Sequence, residues 1–164
     1  VTEILRQYAP DVLRKSEVLK AGGFPYVAVV LRHHNANPSI TSPAIAIIDG
    51  DNPPSEETSE KVIELPEGAP ESVVFGYIHE NAASVAALVQ QRCQCPTVTQ
   101  DAIVNAISEV YTDTTDHHLY FAKLGTQLGF ISELIVRRAL CSIYAERRGA
   151  DLKALVEKVE AQLA

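Results

Sequence analysis

No run of apolar residues in this chain is long enough to cross a bilayer, although hydrophobic residues make up 46% of it. No secretory signal precedes the first helical pattern. Cysteine is scarce: Cys93, Cys95 and Cys141 are an odd set with one C-x-C spacing. That set suits neither a disulfide framework nor a zinc knuckle, so we read reduced thiols in a cytoplasmic protein. Positive charge is in deficit, with 14 Lys and Arg against 21 Asp and Glu and a formal net charge of −7. General affinity for polyanions is thereby excluded, and contact with nucleic acid needs a local basic patch, a bound cation or a partner domain. Methionine is absent, and Val1 already lies inside a helical pattern. We therefore expect a piece of a longer protein. There is no internal repeat and no low-complexity segment.

What is there begins with Ala44-Ile45-Ala46-Ile47-Ile48-Asp49-Gly50-Asp51-Asn52-Pro53-Pro54. Five apolar residues read as a buried strand, and two carboxylates follow one residue apart. Side chains at i and i+2 of a strand share a face, so Asp49 and Asp51 would project together from its carboxyl end. Open α/β sheets keep their ligands at that end. Two ionised carboxylates about 4 Å apart repel by roughly 4 kcal/mol at an effective dielectric near 20. A shared proton or a cation relieves the repulsion, and oxygen ligands favour Mg²⁺, Mn²⁺ or Ca²⁺ over zinc. Gly50 leaves room for a turn or a ligand, and Pro53-Pro54 ends the strand. Asp-Gly-Asp-Asn is also ordinary turn chemistry, and the alternative is a plain turn.

Elsewhere, Ile4, Leu5, Tyr8, Val12 and Leu13 follow helical spacing, and Pro10 kinks or splits that helix. Ser16 to Ala21 is a short strand candidate closed by Gly22-Gly23. Pro25 suits the first turn of a helix through Val27, Val30 and Leu31, which ends near His33-His34. Residues 53–60 form an acidic loop, and Lys61 to Leu65 form another strand. Pro66 to Glu71 turn into a helix through Val73, Val74, Tyr77 and Ile78, and apolar spacing resumes at Val85, Leu88 and Val89. Thr99 or Asp101 caps a helix over Ala102–Tyr111. Further helices are expected over His118–Leu128, Ser132–Arg148 and Asp151–Leu163. The fold class expected is α/β, with a partly parallel sheet flanked by helices and then an all-helical tail. The division is residues 1–80 as α/β core and 81–164 as helical extension.

Taken in order, four segments resemble the Toprim (topoisomerase–primase) nuclease domain of the overcoming-lysogenisation-defect (OLD) family. They are I-L-R-Q-Y-A-P-D-V-L at Ile4–Leu13, V-L-K-A-G-G at Val18–Gly23, the D-G-D strand end, and V-I-E-L-P-E-G-A-P-E-S-V-V-F at Val62–Phe75. The last is similar to a segment of Toprim domains attached to ABC-type ATPases of anti-phage systems. The likeness covers about residues 1–80, and the tail with Thr115-Asp116-His117-His118 matches more loosely. The resemblance implies a Mg²⁺-dependent (or Mn²⁺-dependent) DNA endonuclease domain behind an N-terminal ATPase domain, with homo-oligomer formation as a further expectation. It also implies a glutamate at the end of a first strand, ahead of the first helix. This chain begins inside that helix, and Glu3 is on the wrong element to replace it.

On this reading Asp49 and Asp51 hold the cation, and Glu71 is a candidate for a second metal position by resemblance. The alternative for Glu71 is stabilisation of a helix N-terminus, worth under about 1 kcal/mol. Glu64 and Glu67 rank below it. Asp116 is a natural N-cap for the helix that His117 and His118 begin. Adjacent histidines on an α-helix diverge by about 100°, so one of them, taken as His118, contacts phosphate or shuttles a proton. His33-His34 sit favourably near a helix dipole. Lys123 is a candidate for neutralising phosphate or an ordinary surface lysine. Arg137-Arg138 and Arg147-Arg148 suit a DNA backbone, a partner subunit or the acidic surface equally. The non-enzymatic reading is a Toprim-like module that docks onto the ATPase or dimerises through its tail.

Overall fold

Proline 10 splits the first helix as its chemistry requires. Thr2–Tyr8 (α1) stops at Ala9, and Pro10–Lys15 (α2) starts with the proline in its first turn, where a missing N–H costs nothing. The computed structural model describes residues 1–20, 22, 24–50, 61–65 and 68–163. It is mostly helical, and its described strands form a two-stranded parallel sheet. The chain divides into two compact units, residues 1–70 with 150–164 and residues 71–149.

The first unit holds α1, α2, Phe24–Ala36 (α3), Ala46–Ile48 (β1) and Val62–Glu64 (β2). Most of Gly149–Leu163 (α9), the last helix of the expected extension, also belongs to it. The strands pair with Ala46 opposite Val62, Ile47 opposite Ile63 and Ile48 opposite Glu64. Hydrogen bonds of 2.9 Å continue the pairing at both ends, from Ala46 N to Lys61 O and from Leu65 N to Ile48 O. Leu5 and Ala9 pack with Ile63 and with Leu155, Val156 and Val159 of α9. Ile45, Ile47 and Leu65 pack against the same cluster, so one face of the sheet lies on this core. Ala46 and Ile48, on the other face, are also buried, and α3 contacts β1. Burial on both faces agrees with the continuous apolar run in the sequence.

The strand expected over Ser16–Ala21 is not formed: residues 16–20 have no regular structure and are exposed throughout, and Ala21 lies outside the described residues. Val18 and Leu19 are adjacent, so a strand would send them to opposite faces and leave neither with a continuous apolar row. The acidic loop expected over residues 53–60 lies outside the described residues.

The second unit is built from helices: Pro70–Glu80 (α4, from Glu71 on), Ala82–Arg92 (α5), Gln100–Asp113 (α6), Tyr120–Gln127 (α7) and Glu133–Arg147 (α8). Helices α4 and α5 bend by 114° at Asn81, whose side-chain amide donates to the Tyr77 carbonyl at 2.8 Å. In α6, Ile103, Ala106, Ile107 and Val110 are buried at i, i+3, i+4 and i+7 spacing. They pack in a core with Phe75, Ile78, Val85, Val89, Phe121, Leu124, Leu140 and Ile143. Thr99 caps α6 by accepting from Ala102 N at 3.2 Å, and Ser132 caps α8 by accepting from Ile135 N at 3.4 Å. Among the described residues, no single helix is long and apolar enough to cross a membrane.

Candidate metal centre

Strand β1 delivers Asp49 to its carboxyl end, just past the buried Ile48, where the aspartate is exposed. The next residue must be small. A β-carbon on Gly50 would stand 2.1 Å from the Leu65 carbonyl oxygen and 3.1 Å from Gly68 N. The carboxyl ends of β1 and β2 are therefore in close backbone contact, and only a hydrogen fits between them. Glu64, the last residue of β2, is exposed and in register with Ile48, one residue before Asp49. Two carboxylate-bearing residues thus share one end of the parallel pair. Asp51 and Glu67 lie outside the described residues. Among the described residues, no group of three or more His, Cys, Asp or Glu side chains is placed to hold a metal ion.

Glu71 occupies the first turn of α4, where a carboxylate complements the helix N-terminus. It also has a partner that its sequence context does not announce. Arg137 Nη1 stands 3.4 Å from Glu71 Oε1, while Arg137 Nη2 donates to Glu133 Oε1 at 2.5 Å. The same guanidinium lies over the buried Phe121 ring, 5.3 Å from its centroid. The i,i+4 spacing of Glu133 and Arg137 is a legible helix pair. The link to Glu71 is long-range and left no local signal.

His118 is exposed, and its backbone N–H donates to Asp116 Oδ1 at 3.0 Å, the capping role expected of that aspartate. The turn is a 3-10 helix over His117–Leu119, not the start of an α-helix. On it the two histidine rings approach to 4.2 Å between centroids. Divergence by an α-helical step does not apply here. His117 Nε2 and Thr114 Oγ1 are buried and have no hydrogen-bond partner among the described residues. His34 Nε2 bonds the Ser42 carbonyl at 2.9 Å, a structural contact at the end of α3. Lys123 is exposed on α7.

Each arginine doublet is divided in use. Arg137 is engaged as described, and Arg148 lies over the rings of Tyr77 and Tyr144, at 5.9 and 5.7 Å. Arg138 and Arg147 are exposed. Sequence reasoning also missed an aromatic stack: Phe75 lies on Tyr120 at 4.6 Å, and Tyr111 lies on His79 at 4.1 Å. Cys93 and Cys95 are buried thiols; burial first, and then the neighbouring Cys95, push Cys93 up to about 12.

No family model matches this chain, and neither a curated protein nor a solved structure matches it.

Proposed function

We propose that this chain is a Toprim-type, Mg²⁺- or Mn²⁺-dependent DNA endonuclease domain of the OLD kind, working with an ABC-type ATPase in cytoplasmic anti-phage defence. The observation that carries this reading is Asp49 at the carboxyl end of a parallel strand pair, followed by a glycine that lets the two strand ends touch. The ordered sequence resemblance, of which this D-G-D strand end is one segment, is its other support. Asp49 and Asp51 offer carboxylate oxygens, the donor type that hard divalent cations take. A bound Mg²⁺ or Mn²⁺ supplies positive charge for the phosphate and lowers the pKa of an attacking water. With such a cation bound, hydrolysis would add a water to phosphorus and break the P–O bond to the leaving sugar oxygen, which would take up a proton. Asp49 and Asp51 would hold the cation; by the resemblance alone, Glu71 is carried as a candidate second cation position and His118, exposed beside Asp116, as a phosphate contact or proton carrier. The exposed Arg138 and Arg147 are available to a DNA backbone.

A second reading is a docking or dimerisation module of the same ATPase, without catalysis. It is favoured by the pairing of Glu71 with Arg137. The test is cleavage of plasmid DNA with Mg²⁺ or Mn²⁺, with and without the ATPase domain, beside Asp49→Ala and Asp51→Ala. Metal-dependent cleavage that both substitutions abolish is the expected result. Absence of cleavage under every condition, or cleavage indifferent to both aspartates, favours the docking module.

A further inference from the structure

A braced turn presents Phe130 to solvent. The last residues of α7 hold it: Thr126 O accepts from Gly129 N and from Phe130 N at 3.3 Å, and Gly125 O accepts from Ile131 N at 2.8 Å. A β-carbon on Gly125 would stand 2.2 Å from the Ile131 carbonyl oxygen, so the chain after Phe130 runs against α7 backbone to backbone. Phe130 takes a left-handed conformation, φ 64, and stays exposed. An aromatic side chain fixed outwards against backbone strain has the form of an interface anchor, ordered before anything binds it. Leu134 and Ile135 follow in the first turn of α8 and are exposed as well. Arg138 lies on the same face, four and three residues further on, exposed and without a partner among the described residues. Glu133 borders the face at its start. It accepts from Arg137, yet its side chain is still 44% exposed. The face therefore has an apolar centre, a carboxylate at one end and a cation at the other.

We propose that this face pairs with the same face of a second copy of the chain, α8 against α8 in antiparallel order about a two-fold axis. Such an interface sets residue i against j and j against i. Antiparallel order brings Glu133 of each copy beside Arg138 of the other, on both sides of an apolar centre made by Leu134 and Ile135. The two Phe130 rings close its ends. The face supplies its own charge complement, and that is why a second copy fits it. Three apolar side chains and one ion pair a side fall short of the roughly 20–30 residues of a standard interface, so the pair forms and dissociates with concentration. This gives a surface to the dimerisation named above, and it holds for a catalytic or a non-catalytic chain alike.

The test is sedimentation equilibrium of the full chain over a concentration series, with circular dichroism to check folding. Salt of about 0.15 M screens repulsion between the net charges of −7 beyond about 8 Å. Wild type should move from the mass of one chain to that of two, and no further. Phe130→Gly should stay folded and weaken pairing by at least about tenfold, as loss of an anchor on each copy does. Arg138→Glu and Glu133→Lys should each abolish pairing, because each sets like charges together on both sides. Mixed in equal amounts, these two variants should pair with each other, since opposite charges then meet on both sides. Arg138→Lys should stay near wild type. A chain that remains single at every concentration, assembly beyond two copies, pairing that Phe130→Gly leaves intact, or a mixture no better than either variant alone overturns the proposal. Plasmid cleavage reports on the nuclease reading without reference to mass, so failure of either leaves the other standing.

Discussion

Gly50 and Leu65 meet backbone to backbone: a β-carbon on the glycine would lie 2.1 Å from the leucine carbonyl oxygen. The obstacle is main chain, held by the Leu65 N to Ile48 O hydrogen bond, and cannot rotate away as a side chain would. Gly50→Ala should therefore force β1 and β2 apart and cost about 1–3 kcal/mol, the usual cost of overpacking. Gly76 is the control. It lies inside α4 with nothing within 4 Å of its added β-carbon. Gly76→Ala should stabilise by about 0.5–1 kcal/mol through helix propensity. Urea unfolding of both variants measures the contrast, and a Gly50→Ala midpoint equal to wild type would refute the close approach.

The buried thiol of Cys93 should make stability fall in alkali. Its ordinary value is 9.0, and burial pushes it up to about 12 in the folded chain. The unfolded chain therefore releases the proton first. The stabilisation is complete below about pH 9 and is lost as pH rises towards 12. Stability followed from pH 8 upwards should decline more steeply in wild type than in Cys93→Ala. Below pH 9, alkylation of Cys93 should need prior unfolding, because the reactive thiolate is suppressed.

Phe130 is held at φ 64 while 87% of its surface faces solvent. A left-handed conformation costs a non-glycine residue roughly 1–2 kcal/mol, and here almost no burial offsets it. The preceding Gly129, at φ 100, takes the same kind of turn without that cost. Phe130→Gly should accordingly raise stability by about 1 kcal/mol, after allowing for the greater freedom of glycine in the unfolded chain. Thermal melting decides it; a drop in midpoint would mean that the ring contributes packing after all.

Much of the helical architecture is written locally. The spacing of Ile103, Ala106, Ile107 and Val110 defines the buried stripe of α6, and Thr99 marks its start because a hydroxyl satisfies an otherwise orphan N–H. Pro10 divides α1 from α2 through a missing donor, again a local cause. The apolar runs around Ile47 and Ile63 announce two strands, and Asp49 at the end of the first is legible as a candidate ligand. The same reasoning failed at Val18-Leu19, where two neighbouring apolar residues with no partner strand among the described residues remain exposed.

Other features depend on residues far apart in the chain, and no window of sequence contains them. Leu155, Val156 and Val159 pack on Leu5 and Ile63 because an apolar face must be buried, and the sequence does not say against what. The need for glycine at position 50 comes from a carbonyl fifteen residues later, brought near by parallel pairing. Glu71 reads locally as a helix-start carboxylate, and only the packed α8 gives it Arg137 as a neighbour. By itself the sequence determined the starts and buried stripes of most helices and the two strands that pair, since propensity, capping and periodicity act over a few residues. Tertiary structure decided which of those groups meet and what charge each one faces, because burial and Coulomb interactions act through space.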